Sequence, residues 1–169
     1  MAWAGSSMFR QWNADCLTRT QTSLNFATDV PKVALYDNTI TPDNDVTAVN
    51  SAYAGGVWSA TGGGTGTPQV YQAGQWAQGG VALSGATGTT NFTGTADAIW
   101  YDATDTASGA AATISNIVGC LVYDDTLSAP VGDQGICYNY FGGAQGVSAG
   151  TFTVVWHANG IWRINSAQA

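Results

Sequence analysis

Short apolar runs, separated by clusters of Gly, Asp, Asn, Pro and Ser, recur along most of this chain. Runs of this length that are rich in Val, Ile, Tyr and Thr are typical of β-strands. Their regular punctuation predicts an all-β fold, either an antiparallel β-sandwich or a partly open barrel. The expected strands are residues 32–36, 80–83, 98–102, 117–124, 135–141 and 151–157.

The pattern changes to a helical one at a single place. Val46, Val49 and Tyr53 recur at helical spacing. Asp45 precedes them as a candidate N-cap, and two consecutive glycines follow as a stop signal. One short helix is therefore predicted at about residues 45–54.

The amino-terminal segment shows no sustained period, although residues 8–12 allow a short helical turn. We interpret residues 1–29 as an extended N-terminal arm and residues 30–169 as a single β-rich domain. Three of the four cations of the chain lie within its first 32 residues. The arm is thus electrostatically distinct from an acidic body, which favours a docking role.

The end of the chain predicts a β-hairpin. Asn159-Gly160 is a preferred two-residue type I′ turn, and apolar runs flank it on both sides. This turn would place His157 opposite Trp162, with large apolar side chains on both faces of the hairpin. A second layer or a neighbouring subunit would then have to cover one face.

Charged residues make up only 9% of the 169 residues, whereas an average globular domain has about 25%. All 11 acidic residues are Asp and 22 residues are Gly, so surface-helix formers are scarce. So few charges favour a surface covered by other subunits. A secreted β-domain with a Thr- and Gly-rich coat is the alternative. The net charge of −7 leaves no basic face for phosphates, and we expect no direct nucleic-acid binding.

The cysteines are odd in number and show no C-x-x-C spacing. Cys16, Cys120 and Cys137 therefore argue against a zinc site and against a disulfide scaffold. The sequence shows neither a signal-peptide pattern nor an apolar run typical of a membrane span. We expect assembly in a reducing cytoplasm, without a membrane.

Candidate catalytic chemistry is sparse. His157 is the single histidine, and its predicted strand position favours packing over catalysis. Residues 43–45 alternate oxygen ligands as a calcium loop does, but the glycine and the bidentate acid of an EF-hand are missing. Residues 124–125 and the other Asp residues mostly fall in turn contexts, which explains them without a pair of catalytic carboxylates. We expect no enzyme activity, no cofactor and no metal.

Two compositional features suggest other binding functions. The glycine-rich residues 61–67 lack the Lys-Ser/Thr of a phosphate loop, so we interpret them as a mobile loop. Seven tryptophans are enough for a sugar-stacking platform, with Trp58 and Trp76 as its candidates. The same abundance is typical of an aromatic core or of subunit contacts. A carbohydrate-binding or host-attachment module remains an alternative.

Several distinctive stretches resemble small virion structural proteins of tailed phages, which are often encoded near the major capsid gene. One is Lys32–Asp43, KVALYDNTITPD. The others lie within Tyr123–Arg163 and include Gly132–Gly143, GDQGICYNYFGG, and Gly150–Gly160, GTFTVVWHANG. Together the similar stretches cover about half of the chain.

This resemblance implies a head accessory protein of the decoration, cement or minor capsid type, with a neck or tail structural protein as the alternative. It implies a location in the virion, the major capsid protein as partner, self-association as a homotrimer, and no catalytic residues. Candidate contacts to the capsid lattice combine aromatic anchors with the rare cations of the arm. They are Trp3, Arg10, Trp12 and Arg19.

Overall fold

The computed structural model describes residues 3–18, 25, 28–60, 68–85, 92–95 and 98–165, which form antiparallel β-sheets and two short helices. Within these ranges there is no closed barrel. The predicted all-β, antiparallel, sandwich-like class is therefore confirmed. The elements, in chain order, are β1 (Ser7–Met8), α1 (Arg10–Thr18), β2 (Pro31–Tyr36), α2 (Ala48–Ser51), β3 (Gln69–Val70), β4 (Val81–Ala82), β5 (Phe92–Thr95), β6 (Ala98–Tyr101), β7 (Thr106–Ala107), β8 (Ala112–Asp124), β9 (Gly135–Gly150), β10 (Thr153–Val154) and β11 (Trp162–Asn165).

The largest sheet is built around the two longest strands, β8 and β9. Its strands lie in the order β1-β9-β8-β2-β3, and β4 pairs with β2 alongside β3. The strands predicted at residues 32–36, 117–124 and 135–141 are confirmed as β2, β8 and β9, the last two being longer than expected. β8 carries an unbroken buried run from residue 117 to residue 124, which explains its continuous apolar sequence.

Two smaller sheets complete the described fold. One has the order β11-β6-β5, and the other pairs β10 with β7. Tyr101 of β6 lies opposite Trp162 of β11, and their rings stack with centroids 5.8 Å apart. The predicted strand at residues 151–157 is reduced to the two residues of β10.

The predicted carboxy-terminal hairpin is wrong. β10 and β11 do not pair with each other, because β10 pairs with β7 and β11 pairs with β6. The turn lies one residue earlier than expected, with the Gly160 amide donating to the His157 carbonyl at 2.8 Å. A type I′ turn needs positive φ at both central residues. Gly160 has it, at 92°, and Asn159 does not.

The predicted helix is shorter than expected and begins at a different cap. Its N-cap is Thr47, whose side chain accepts a hydrogen bond from the Asn50 amide at 3.3 Å. Asp45, the expected cap, lies two residues too early for this geometry. The chain is already extended at Ala52, with φ −64° and ψ 151°, so Tyr53 lies beyond the helix.

Residues 3–18 do not form the extended arm that the sequence predicts. They form β1 and α1, and β1 adds to β9 at the edge of the largest sheet. Trp3, Phe9 and Trp12 are almost completely buried. The reason is the hydrophobic effect, since three large aromatic side chains gain more free energy inside the core than on an exposed arm. The buried apolar side chains of the described residues, including these three, form one continuous core.

Candidate assembly surface

The amino-terminal segment is held to the sheet by an aromatic cluster. Trp3 and Phe9 both meet Trp58 and Tyr138 edge to face, with ring centroids 5.5 to 6.0 Å apart. Tyr36 of β2 joins through Trp58, at 5.2 Å. Edge-to-face pairs of this kind contribute about 0.5–1.5 kcal/mol each beyond the burial of their area. The segment is therefore part of the folded body.

The place of Trp3 is further determined by a glycine. Its indole ring lies against Gly119 of β8, where an added Cβ would collide with the ring and with the carbonyl oxygen of Asn139. The indole nitrogen of Trp3 donates to the Asp37 carbonyl at 2.9 Å. The absence of a side chain at residue 119 thus makes room for an aromatic anchor more than one hundred residues away in sequence.

Of the four predicted contact residues, only Arg10 is shown at the surface. Trp3 and Trp12 have 4% and 1% of their area exposed, so neither side chain is available to a partner in this fold. Arg19 lies outside the described residues. The sequence pattern could not separate an aromatic contact from an aromatic core residue, because both uses require the same side chain.

Arg10 lies at the start of α1 beside the turn formed by residues 43–45. Its guanidinium pairs with the Asp45 carboxylate at 3.2 Å, both side chains being well exposed, and its amide donates to the Asn44 carbonyl at 3.0 Å. Asp43 accepts a hydrogen bond from the Asp45 amide at 2.9 Å. This Asx turn explains the alternating oxygen groups that resemble a calcium loop.

An apolar patch adjoins this turn. A shallow pocket of about 140 Å³ is lined by Val46, Val57 and Asp43, among others, with Trp58 beneath it. Val49 of α2 and Val57 are exposed by 60% and 42% and bring apolar area to the surface here. We call the surface formed by Arg10, Asp43, Asp45, Val46, Val49 and Val57 the Arg10 surface. It combines exposed apolar groups with one basic and two acidic side chains.

The two tryptophans predicted as a sugar-stacking platform are not exposed. Trp58 and Trp76 are both completely buried. Trp58 belongs to the aromatic cluster, and Trp76 packs against Phe152 with ring centroids 6.0 Å apart. The glycine-rich residues 61–67, which separate the two tryptophans in sequence, lie outside the described residues.

His157, the single histidine and candidate catalytic residue, lies in a turn. His157 is exposed, and its Nδ1 accepts a hydrogen bond from the Asn159 amide at 3.0 Å within the same turn. In the part of the chain that the structure describes, no three His, Cys, Asp or Glu side chains are grouped closely enough to hold a metal ion.

The three cysteines are free thiols. Burial makes each of them a weaker acid than an exposed cysteine. Burial raises the pKa of Cys137 to about 12 and also raises that of Cys120, its neighbour on the paired strand. Burial, with further contributions from Asp15 and Asp124, raises the pKa of Cys16 to about 11. A thiolate is the reactive form of cysteine, so these thiols are not poised as nucleophiles.

Buried carboxyl groups are a feature that the sequence pattern did not reveal. Asp15 is 4% exposed and accepts hydrogen bonds from Gln11 and from the buried Gln134, both at 2.8 Å. Asp29 and Asp124 are 2% and 0% exposed. Burial, together with the neighbouring Asp29, raises the pKa of Asp124 to about 6, although the Thr126 amide donates to its carboxyl at 3.0 Å.

The comparisons with known proteins return no relative. No family model, no curated protein and no solved structure matches the chain. None of the helices among the described residues has the length and apolar character needed to span a membrane.

Proposed function

We propose that this protein is a structural accessory protein of a tailed-phage particle, most specifically a head decoration or cement protein that binds the assembled capsid shell. The sequence resemblance suggests this class. The observation that carries the proposal is the Arg10 surface, where Val49 and Val57 are exposed beside a small pocket. Exposed apolar groups with a polar rim are characteristic of protein–protein contact sites.

The proposed mechanism is stabilisation by mass action. A domain that binds the assembled lattice, and not its separate subunits, favours the assembled state by its free energy of binding. Each contact is expected to be weak, because the Arg10 surface is small. On one particle, the binding free energies of many copies would add up and stabilise the shell.

The Arg10 surface fits this role better than the arm that the sequence predicts. Val57 and Val49 lie on a body whose core includes the amino-terminal segment, so a partner meets a surface that is already formed. Pre-formed contacts avoid the entropic cost of ordering a free arm on binding. Arg10 and Asp45 would then set orientation more than affinity, since both are solvent-exposed and exposed ion pairs contribute little.

The test is binding to purified particles. Val57→Asp places a charge in the pocket wall and should reduce occupancy on heads at least tenfold, as measured by quantitative gel analysis of sedimented particles. Val155→Asp is the matched control, because Val155 is also an exposed valine, at 72%, and does not line the pocket. Its occupancy should equal that of the unchanged protein.

Electron microscopy of the particles then identifies the binding position. Density for this chain on the capsid shell would support the decoration role, whereas density at the neck or tail would favour the alternative structural role. If the Val57→Asp variant occupies heads as fully as the unchanged protein, the Arg10 surface does not contact the capsid. Absence of the chain from every particle would contradict the proposal as a whole.

A further inference from the structure

Among the described residues, no strand pairs with the outer edge of β9 beyond Tyr140. β1 pairs with β9 only at Cys137 and Tyr138, and the Tyr140 amide donates to the Ser6 hydroxyl at 3.0 Å. From residue 141 to residue 150, no described strand pairs with the outer side of β9, while its inner side pairs with β8. An open edge presents amide and carbonyl groups that another strand can pair with.

Residues 144–148 are the part of this edge that is suited to strand pairing. On one side, Gly142 and Gly143 have positive φ, 79° and 154°, and the register with β8 shifts. On the other side, Ala149 has a φ of 51°. None of residues 144–148 has a positive φ. The register shift within this stretch comes from an extra residue on β8, between Ile114 and Ile117, opposite Gln145 and Val147. Four of the five residues are exposed.

This edge lacks the features that keep natural edge strands apart. Such strands commonly carry lysine, proline or inward-pointing charges. Residues 135–150 contain no charged residue and no proline, and residues 144–148 have the short sequence Ala-Gln-Gly-Val-Ser. Small side chains let two backbones approach to the distance that strand pairing requires.

We propose that residues 144–148 pair in an antiparallel manner with the same residues of a second copy of this chain, across a twofold axis near Gly146. Antiparallel pairing across a twofold axis is self-complementary, so one segment supplies both sides of the contact. The chain has a net charge of −7, and copies repel least where they meet through an uncharged segment. A basic partner would find no acidic side chain on residues 135–150.

The pairing is expected to stop at two copies. The opposite edge of the sheet is formed by β3 and β4, which both pair with β2 and have only two residues each. Short edge strands are poor templates for further pairing. The inference goes beyond the proposed role, since it concerns the isolated protein and not its place on a particle.

The dimer is expected to be weak. Five paired residues bury far less than the roughly 1,200–2,000 Å² of a stable protein–protein interface. Sedimentation equilibrium of the full chain, up to about 1 mM, should therefore show the apparent mass rising from 17.4 kDa toward twice that value. Hydrogen exchange of residues 144–148 should slow as the concentration rises.

The edge is tested by adding charges that meet across the axis. Ala144→Lys together with Ser148→Lys should weaken association at least tenfold, because each added lysine would lie opposite a lysine of the other copy. The control is Ala77→Lys together with Ser128→Lys, which adds the same charge at two exposed positions outside the strands. This control should associate like the unchanged chain, and circular dichroism should show all three proteins folded.

Three results would overturn the inference. The first is an unchanged protein that stays at 17.4 kDa over the whole concentration range. The second is association as a trimer, which requires a head-to-tail contact that antiparallel edge pairing does not provide. The third is slowed exchange outside residues 144–148 with no change inside them. Each of these can occur whether or not the chain binds a capsid.

Discussion

Asp124 shows how burial changes the chemistry of a residue that looks ordinary in the sequence. It ends β8 and is completely buried, and the carboxyl group of the buried Asp29 disfavours its ionisation. Two carboxyl groups close together inside a protein cannot both remain ionised at low cost. Among the described residues, Cys16 of α1 and Tyr101 of β6 also interact with Asp124, and the pKa values of both are raised mainly by burial.

The buried carboxyl groups of Asp29 and Asp124 predict a free energy of unfolding that falls as the pH rises. The pKa of Asp124 is raised from 3.8 to about 6 in the folded protein, so between these values the folded state holds a proton that the unfolded state releases. The stabilisation is fully present below about pH 4 and is lost as the pH rises through about 6. At about 1.4 kcal/mol for each tenfold change in proton affinity, the loss is at most about 3 kcal/mol.

Urea unfolding at several pH values measures this slope. Asp124→Asn keeps the shape of the protonated acid and removes its titration, so the stability of this variant should change much less between pH 4 and pH 6. Asp45→Asn, at an exposed carboxylate, is the control and should retain the slope of the unchanged protein. An unchanged slope in Asp124→Asn would mean that the Asp124 carboxyl does not carry the proton.

Among the elements, α1 departs furthest from the sequence expectation. The sequence indicates only a short helical turn at residues 8–12, whereas the structure has a helix over Arg10–Thr18. Its two ends have opposite surroundings, since Trp12 is buried and Leu17 is 86% exposed. An exposed leucine and a buried tryptophan on one short helix mean that hydrophobicity alone could not identify its packed face.

The two residues provide a matched test of how firmly α1 is docked. Trp12→Ala should lower the free energy of unfolding by about 3–5 kcal/mol, the usual cost of removing a buried tryptophan. Leu17→Ala should change it by less than about 0.5 kcal/mol, as exposed substitutions do. Chemical denaturation of both variants measures the difference, and equal small effects would mean that the segment is detached in solution.

At the scale of the whole molecule, the continuity of the core determines how the protein unfolds. Trp3 from the amino-terminal segment and Trp162 from the carboxy-terminal strand belong to one cluster with the side chains of β8. Elements that share one core lose their packing together. The boundary that the sequence suggests, between residues 1–29 and 30–169, does not correspond to a break in this core.

We therefore expect a single cooperative unfolding transition. Tryptophan fluorescence, which reports on the surroundings of the seven tryptophans, and far-ultraviolet circular dichroism, which reports on the sheets, should give coincident urea midpoints. An earlier fluorescence transition, with the sheet signal retained, would show that part of the core loses its packing separately from the sheets.

The sequence by itself determined the fold class and the positions of the main strands. Runs such as those of β2 and β8 combine strand-forming residues with flanking turn signals, and this information is local. The small two-residue strands β1, β3 and β7 were not predicted, because strands so short depend on the partner they pair with.

Tertiary structure alone decided which aromatic side chains are core, which strands pair and which carboxyl groups are buried. Trp3 was a candidate surface contact by sequence, but Gly119 and Tyr138 provide it with a buried position. The turn at Asn159-Gly160 predicts a hairpin, yet β11 pairs with β6 instead. In each case the free energy of the folded state depends on contacts between residues far apart in sequence. No local sequence pattern contains this information.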